Sequence, residues 1–339
     1  MPGKRALFAA ALHASGISRV VYAVRGAFID EVRILAYHRV LPDWHEPSFP
    51  FDLELISAST EEFTWQMEHV RRHFNPIRFA DLIAFQSGRG VLPSRPIIVT
   101  FDDGFDDNFH HAFPVLRRLG IPATFFLSTG YIGGNQTFWY DWLCHLCLMQ
   151  HAAGKDFDFA GRVFPANGES RDRAFLDELF LHAKSLPDPI LRGAIAASEQ
   201  RYSAAFPAGG FAESRPLTWD QVRVMAGSGM EFGSHAVSHP VLTRTSNEQL
   251  EHEIRQSKQT IEEQTGQSIE VIAYPVGEHF AFDQRVMNAV RSAGYLLGVS
   301  YLSGSNRIGQ FDSYAVRRLH VERYTTRAEF TSSLAFPDW

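Results

Sequence analysis

Short apolar runs of strand length recur along most of the chain, and segments with helical periodicity separate them. This alternation predicts an α/β fold with parallel strands, because the chain must return through a helix before each new parallel strand begins. We expect seven strands, at residues 32–37, 97–101, 123–127, 230–233, 271–274, 296–301 and 315–321. Seven such strands favour an incomplete (β/α) barrel, whose functional side chains lie at the carboxyl ends of the strands.

Three of the helices between these strands are marked by their first residues. Ser59, Thr218 and Ser246 each precede a Glu or Gln by three positions, which is the capping-box pattern of a helix start. Gly266 stands where the third helix is expected to end, because glycine tolerates the left-handed backbone found there.

One long stretch interrupts the alternation. Residues from about 142 to about 216 are helix-prone and hold no convincing strand. We interpret this stretch as a helical insertion within a domain that spans residues 31–339. It would serve either as a lid or wall of a cleft, or only as an elaboration that covers the core.

Residues 1–30 precede the first strand and are interpreted as a separate amphipathic helical segment. Lys4 and Arg5 stand before an apolar run at residues 6–12, and seven residues are the minimum for the hydrophobic part of a signal peptide. Basic residues return at Arg19 and Arg25, which favours a short helix that docks on the domain or lies on a membrane surface. The segment therefore favours a cytoplasmic or membrane-peripheral protein over a secreted one.

Composition argues against one class of partner and one class of scaffold. The formal net charge of −6 gives no electrostatic basis for binding nucleic acid. The two cysteines, Cys144 and Cys147, are too few for a disulfide framework. Their C-x-x-C spacing would suit zinc or redox chemistry, but a structural zinc site needs a second ligand pair, and none lies nearby in the sequence. We expect two small apolar residues on the buried face of a helix.

Two adjacent carboxylates follow the second predicted strand. Residues 100–104 have the sequence Thr-Phe-Asp-Asp-Gly, which places Asp102 and Asp103 at the mouth of a buried strand. Paired carboxylates in such a place are costly unless a cation or a function compensates them. Because consecutive residues at a strand end can point different ways, one carboxylate can bind a metal while the other stays free as a base.

Two histidines follow the fourth predicted strand. His235 and His239 would face the same way on one helical turn, at about the spacing of two imidazole ligands of one metal ion. The spacing alone is a weak signal in a chain with 15 histidines. Together with an aspartate from another strand end, the pair gives the two-histidine, one-carboxylate set of an open catalytic metal site.

A third motif, Ala-Tyr-Pro-Val-Gly at residues 273–277, ends the fifth predicted strand. Pro275 and Gly277 fix a turn whose backbone N–H groups could face a reacting carbonyl. Taken singly, the motif is better explained as a simple strand-ending turn. The joint occurrence of three strand-end motifs is what points to a shared site.

In this order, the motifs resemble those of the polysaccharide deacetylases, the NodB-homology group classed as carbohydrate esterase family four. Residues 100–104 match that family's T-F-D-D-G, and His235 and His239 match both histidines of its H-[ST]-x-x-H, with Ala236 in place of Ser or Thr. Residues 273–277 are similar to its A-Y-P-Y-G variant. Residues 37–40, Tyr-His-Arg-Val, match the Y-H-x-V of the branch tied to exopolysaccharide production. The resemblance covers roughly residues 31–325 apart from the insertion.

By this resemblance, Asp103, His235 and His239 would bind one divalent metal ion, and Asp102 would be the general base. Zinc is the first candidate for two imidazoles and a carboxylate, and cobalt, nickel, iron and manganese are alternatives. The ion would activate water and polarise the acetamide. The backbone N–H of Val276 would help to stabilise the oxyanion.

The sequence departs from the wider family at two functional positions. Many relatives have an arginine that orients the catalytic aspartate where this chain has Ala273, and we hypothesise that Arg318 in the last strand supplies the missing charge. The histidine that serves as general acid has no clean match. His320 lies on the same strand face as Arg318 and is the first candidate, with His38 at the end of the first strand as its competitor.

Candidates for contact with substrate are His38, Tyr274, Pro275, Trp139 and Trp142. Trp139, Tyr140 and Trp142 follow the third strand and its loop, where they would stack on sugar rings at the rim of the cleft or, equally well, pack against the insertion.

The resemblance implies metal-dependent hydrolysis of N-acetyl groups from amino sugars, with release of acetate. The expected partner is an N-acetylated exopolysaccharide or its precursor, and peptidoglycan, chitin-like glycans and O-acetyl esters are alternatives. A catalytically silent glycan-binding module is a further alternative, although the base and all three ligands are retained. Phosphoryl transfer is disfavoured because the sequence has no Gly-rich phosphate loop.

Overall fold

The computed structural model describes residues 9–10, 14–28, 30–43, 49–166, 174–203 and 210–338. The strands among them are β1 (Glu31–Tyr37), β2 (Arg39–Leu41), β3 (Ile56–Ser59), β4 (Asn75–Pro76), β5 (Pro96–Phe101), β6 (Thr124–Leu127), β7 (Phe157–Phe159), β8 (Arg162–Phe164), β9 (Glu231–Ser234), β10 (Val271–Ala273), β11 (Leu297–Ser303), β12 (Asn306–Arg307) and β13 (Val316–His320). The helices are α1 (Ile17–Phe28), α2 (Thr60–His73), α3 (Phe79–Gln86), α4 (Phe113–Leu119), α5 (Trp139–Ala152), α6 (Ala174–Ser185), α7 (Asp188–Arg201), α8 (Trp219–Gly227), α9 (Asn247–Thr265), α10 (Gln284–Ser292) and α11 (Arg327–Ala335).

Seven of the strands form a closed parallel barrel. Around it the order is β1, β5, β6, β9, β10, β11 and β13, and β13 pairs again with β1. The seven strands expected from the sequence are confirmed, with bounds that differ from those expected by at most two residues. The fold is therefore a (β/α) barrel with one strand fewer than the eight of the common form.

The predicted helix caps are confirmed. The hydroxyls of Ser59, Thr218 and Ser246 each accept the N–H three residues further on, at 3.0, 3.2 and 3.1 Å. The third helix, α9, ends at Gly266, whose φ of +69° is left-handed. These local hydrogen bonds fix the residues at which α2, α8 and α9 begin. A strand follows each of these helices, so its start depends on where the helix begins.

The two-residue period of the strands decides which side chains point into the barrel. On β5, Ile97, Val99 and Phe101 pack outward with the helices, whereas Ile98 packs in the interior. Helix α3 closes the interior at the amino ends of the strands, where Glu231 accepts the N–H groups of Phe79 and Ala80, both at 2.9 Å. The carboxyl ends of the strands are left for the functional residues.

The insertion contains a hairpin as well as helices, so the expectation that it holds no strand is wrong. Strands β7 and β8 are antiparallel and only three residues long, and they meet at a turn where Ala160 and Gly161 have positive φ. Phe157, Phe159 and Phe164 bury their rings in a cluster with α5. Strands this short leave too few alternating positions to be recognised from sequence.

The buried-helix interpretation of the two cysteines is confirmed. Cys144 and Cys147 are free thiols on α5, fully buried in the apolar cluster of the insertion. Burial raises the pKa of Cys147 to about 12, so it is an unreactive thiol.

Helix α1 docks on the barrel. The hydroxyl of Tyr22 donates to the carbonyl oxygen of Thr331 at 2.7 Å, and Arg25 pairs with Glu31 at 2.9 Å. Lys4, Arg5 and most of the apolar run at residues 6–12 lie outside the described residues. Among the helices described, none is long and apolar enough to cross a membrane.

Candidate functional site

The carboxylate of Asp102 lies just past the end of β5 and is held by one arginine. Arg318 of β13 is fully buried, and it donates from Nη1 to Oδ1 of Asp102 (2.8 Å) and from Nη2 to Oδ2 (2.7 Å). Its Nε donates to the carbonyl oxygen of Ser300 at 2.8 Å. Burial alone would raise the pKa of Asp102, but the charge of Arg318, helped by neighbouring histidines, holds it below its usual range. Asp102 is therefore an ionised carboxylate in a fixed orientation.

Asp103 points to a different place and meets the two predicted histidines. Its Oδ1 lies 3.4 Å from Nε2 of His235 and 3.2 Å from Nε2 of His239. One ligand atom from each of the three residues lies within 4.8 Å of the other two, and all three side chains are buried. The sequence thus places two adjacent carboxylates in two separate roles, one with Arg318 and one with the histidines.

This group fits a divalent metal ion. One carboxylate and two imidazoles form an open coordination set of the kind found in catalytic zinc sites. His235 has its Nδ1 2.8 Å from the carbonyl oxygen of Ala273, the kind of contact that fixes a ligating ring and leaves Nε2 for the metal. Oδ1 of Asp103 is buried without a hydrogen-bond partner among the described residues, and a cation would compensate it.

The site concentrates unusual backbone conformations. Six non-glycine residues in the described part of the chain have positive φ, and four of them belong to the strand-end motifs: Asp103, Ala236, His239 and Val276. A left-handed conformation costs a non-glycine residue roughly 1–3 kcal/mol and tends to persist at functional sites. The expected helical turn at residues 235–239 is wrong. The segment is a non-helical loop, and the two histidines converge because Ala236 and His239 are left-handed.

The third motif forms a tight turn beside the metal site. Val276 has a φ of +67°, and its N–H donates no hydrogen bond within the described residues. Gly277 is required by space, since a Cβ there would lie 2.6 Å from the backbone nitrogen of Tyr301. Tyr274 and Val276 line the cleft, whereas Pro275 is not among the lining residues.

The metal-binding group lies in a cleft of about 210 Å³ between the barrel and the insertion. The barrel contributes the carboxylate and imidazole side chains of the cleft, whose groups can act as acids, bases or metal ligands. The insertion supplies Phe180 and Lys184 from α6, and helix α5 supplies Trp139 and Tyr140. The remaining lining residues are Asp52, Glu54, Leu55, Glu278, Tyr301 and Glu322. The insertion and the helix that leads into it therefore form a wall of the cleft.

The two candidate general acids occupy different positions. His38 lines the cleft, and its Nε2 lies 3.8 Å from Oδ2 of Asp102. His320 stacks on Tyr301, with ring centroids 3.6 Å apart and planes within 6°, and it is not among the lining residues. Burial lowers the pKa of His320 to about 4, and the charges of Arg318 and His38 lower it in the same direction.

The two tryptophans also differ. Trp139 lines the cleft and donates from Nε1 to the carbonyl oxygen of His239 at 3.1 Å, so it supports a residue of the candidate metal site. Trp142 is 5% exposed and packs in the apolar cluster of the insertion, which is the alternative considered for it.

Several lining residues were not recognised from the sequence. Tyr301 ends a predicted strand, so the rule for strand ends would have identified it. Tyr140 is expected with the two tryptophans at the rim of the cleft, but nothing in the sequence indicates that its ring reaches His239, 4.9 Å away between centroids. Phe180 and Lys184 lie more than 75 residues from the first motif, and only tertiary packing brings them to the cleft.

Comparisons with known proteins agree with the family resemblance of the three strand-end motifs. A family model described as polysaccharide deacetylase matches residues 89–154 and 196–298, which include the three strand-end motifs and leave out residues 155–195. The polysaccharide deacetylase homologue YxkH of Bacillus subtilis is 21% identical over 225 residues, which cover 66% of this chain and 51% of the relative. The poly-beta-1,6-N-acetyl-D-glucosamine N-deacetylase of Staphylococcus aureus is 27% identical over 105 residues, which cover 29% of this chain and 36% of that protein.

The chain thus spans about half the length of the first of these relatives and about a third of the second. Among solved structures, the Streptococcus pyogenes deacetylase PplD in complex with acetate aligns with a TM-score of 0.59 at 17% identity. The alignment covers 90% of this chain and 99% of that one, and it shows a shared fold.

Proposed function

Because the chain belongs to the polysaccharide deacetylase family, we propose that it removes N-acetyl groups from the amino sugars of a polysaccharide and releases acetate. The observation that carries this proposal is the pairing of Asp102 with Arg318 beside the Asp103, His235 and His239 group in one cleft. One carboxylate is held ionised, and its neighbour is directed at two imidazoles. Hydrolysis of an amide needs such a division of labour between a base and an electrophile.

Asp103, His235 and His239 would hold one divalent ion, with zinc as the first candidate and cobalt, nickel, iron or manganese as alternatives. The ion would supply Lewis-acid activation of water and of the acetamide carbonyl. Asp103 is suited to this task because its pKa lies well below the usual range. Burial opposes that shift, and the contacts with His235 and His239 outweigh burial.

Asp102 would act as the general base. Both of its oxygens accept from Arg318, but each carboxylate oxygen has a second lone pair that can take a proton from water. The guanidinium keeps the carboxylate ionised and prevents its rotation. This is the orienting role hypothesised for Arg318 in place of the arginine that the third motif lacks.

The N–H of Val276 would stabilise negative charge on the acetyl oxygen; support comes from its position on the cleft and from the lack of an acceptor for it among the described residues. We assign the general acid to His38 rather than to His320. His38 reaches the cleft beside Asp102, whereas His320 is neutral at physiological pH and stacked on Tyr301. A neutral imidazole with a pKa of about 4 has no proton to give to a leaving amine at neutral pH.

The proposed substrate is an N-acetylated exopolysaccharide or its precursor. Support comes from the Tyr-His-Arg-Val segment of β1 and β2 and from the similarity to a staphylococcal protein named as a poly-beta-1,6-N-acetyl-D-glucosamine N-deacetylase. Leu55, Trp139 and Phe180 give the cleft apolar surface of the kind that sugar rings contact. Peptidoglycan, chitin-like oligomers and O-acetyl esters remain as outcomes of the test below.

The test is acetate release from a panel of N-acetylated and O-acetylated glycans by the zinc-loaded protein. We expect Asp102→Asn and His235→Ala each to abolish measurable release. Asp106→Asn is the matched control, because Asp106 lies in the same segment but is not among the lining residues of the cleft. Release that survives both substitutions would refute the proposed chemistry. Stoichiometric zinc binding without release from any glycan would favour a silent binding module.

We also propose that α1 contacts a membrane surface, which would give the protein a membrane-peripheral location. Ile17, Val20 and Val24 are 47%, 62% and 52% exposed and share one face of the helix, while Tyr22 on another face is buried. Sedimentation with anionic lipid vesicles tests the proposal. We expect Val20→Asp to reduce binding and Val91→Asp, at a loop position 93% exposed, to leave it unchanged. Absence of binding by the wild-type protein would refute it.

A further inference from the structure

Helix α5 lies against the metal-binding group from outside the barrel. Trp139 holds the backbone of His239 through its indole N–H, and the ring of Tyr140 packs against the imidazole of His239. Both contacts come from the helix that leads into the insertion. The hydroxyl of Tyr140 has no role in the chemistry described above.

That hydroxyl is one of the buried polar atoms that lack a hydrogen-bond partner in the described part of the molecule. Tyr140 is 7% exposed, and its Oη is buried without a hydrogen-bond partner among the described residues. Leaving a buried donor unpaired is costly, and such groups are usually paired in the state that functions. A partner is therefore expected in the metal-loaded protein.

The acceptor nearest in kind and place to this hydroxyl is the carboxylate of Asp103. Both residues line the same cleft, and Oδ1 of Asp103 lies 3.2 Å from Nε2 of His239, whose ring contacts that of Tyr140. A phenol hydroxyl donates a hydrogen bond and a carboxylate oxygen accepts one. Oδ1 of Asp103 is likewise buried and without a hydrogen-bond partner among the described residues.

We propose that the Tyr140 hydroxyl donates a hydrogen bond to the Asp103 carboxylate when the metal is bound, and that Tyr140 is thereby a positioning residue for the metal site. With His235 and His239 engaged as metal ligands, their Nε2 atoms would not be available to orient the Asp103 carboxylate. A hydrogen bond from Tyr140 would fix its orientation and leave one oxygen for the ion. The inference depends on the metal site proposed above.

Zinc affinity, measured by competition with a chelator on the full chain, tests the inference without any substrate. Tyr140→Phe keeps the ring that packs on His239 and removes only the hydroxyl. Loss of an outer hydrogen bond of this kind typically weakens metal binding by about 10–100-fold, which is the expected effect. The thermal midpoint of the metal-free protein should change little, because the packing of the ring on His239 is kept.

Tyr131→Phe is the matched control. Tyr131 is also 7% exposed and packs on Phe138, as Tyr140 does, but its hydroxyl lies by Arg192 and it lines a different cavity. We expect this change to leave zinc affinity unaltered. Unchanged zinc affinity in Tyr140→Phe would overturn the inference alone. A wild-type protein that binds no zinc and no other divalent ion would overturn both the inference and the proposed metal site.

Discussion

The two walls of the cleft are built in different ways. On the barrel wall, Asp102, Asp103, His235 and Val276 each lie within three residues of the end of a parallel strand. On the other wall, Tyr140, Phe180 and Lys184 project from helices of a segment that has its own apolar cluster. Strand ends in a barrel are brought together by the closure of the sheet, whereas the helix positions depend on how the insertion packs.

This difference suggests a division of function. By the proposed function, the barrel wall would hold the groups that move protons or bind an ion, and their loss should lower kcat. Phe180 and Lys184 of the insertion wall would contact the rest of the glycan, and their loss should mainly raise KM, whereas Tyr140 borders the candidate metal site. The following predictions test this division.

The largest effect is expected for Arg318→Met. The substitution leaves the Asp102 carboxylate buried and unpaired, which costs about 3–5 kcal/mol of unfolding free energy. Deacetylation should fall about 10²–10⁴-fold, because the base loses its orientation and its ionised form. Urea unfolding and initial rates measure the two effects. Arg317→Met, at the exposed neighbouring position, is the control.

The double substitution Asp102→Asn with Arg318→Met sharpens this prediction. With no charge left uncompensated, the double variant should be more stable than Arg318→Met alone, although inactive. Equal stability of the two variants would show that the ion pair is not the source of the cost.

The next largest effect is expected on kcat, and it distinguishes the two candidate general acids, His38 and His320. His38→Gln should lower kcat by about 10²–10³-fold, because a general acid contributes on that order. His320→Gln should lower it less than about tenfold, since His320 contacts Tyr301 rather than the cleft. A larger loss in His320→Gln than in His38→Gln would restore His320 as the acid.

His320 should instead make the free energy of unfolding depend on pH. Its pKa is about 4 in the folded protein, against about 6.5 in an unfolded chain. Below pH 6.5 the unfolded chain binds the proton more readily, so stability is lost as the pH falls from about 6.5 to about 4. The loss should be on the order of 2 kcal/mol after allowance for the partial exposure of the ring.

His320→Phe keeps the stacking on Tyr301 and should flatten this part of the profile. Unfolding in urea at pH 7, 5.5 and 4.5 measures the difference between variant and wild type. His252→Phe, at an exposed position of α9, should follow the wild-type profile. Identical profiles for His320→Phe and wild type would show that His320 is not buried in its neutral form.

The difference between the barrel wall and the insertion wall also explains which features could be predicted from the sequence. The seven strands, three helix caps, Asp102, Asp103, His235 and His239 carry local signals, because apolar runs and turn residues identify strand ends. The partnership of Arg318 with Asp102 was inferred from a missing charge, and the pair is present at 2.7 and 2.8 Å.

What could not be predicted depends on backbone conformation or distant packing. The convergence of His235 and His239 was attributed to a helical turn, but it arises from left-handed residues that no pattern of residue types reveals. The hairpin of β7 and β8 could not be recognised from the sequence because its strands are too short to show alternation. Strand alternation gives the face on which His320 lies, but it does not reveal the Tyr301 ring that stacks on it.

The smallest effect is expected on the insertion wall, at Lys184. Lys184→Met keeps the length of the side chain and removes its charge and its hydrogen-bond donors. Losing one contact to a sugar hydroxyl costs roughly 1 kcal/mol, so KM for a long N-acetylated oligosaccharide should rise about fivefold while kcat is unchanged. Steady-state kinetics on oligosaccharides of increasing length measure this, and the effect should disappear for the shortest substrate, which cannot reach α6. Lys155→Met, an exposed change just after α5, should alter neither parameter. A fall in kcat at every substrate length would mean that the insertion wall takes part in the chemistry, and the division between the walls would fail.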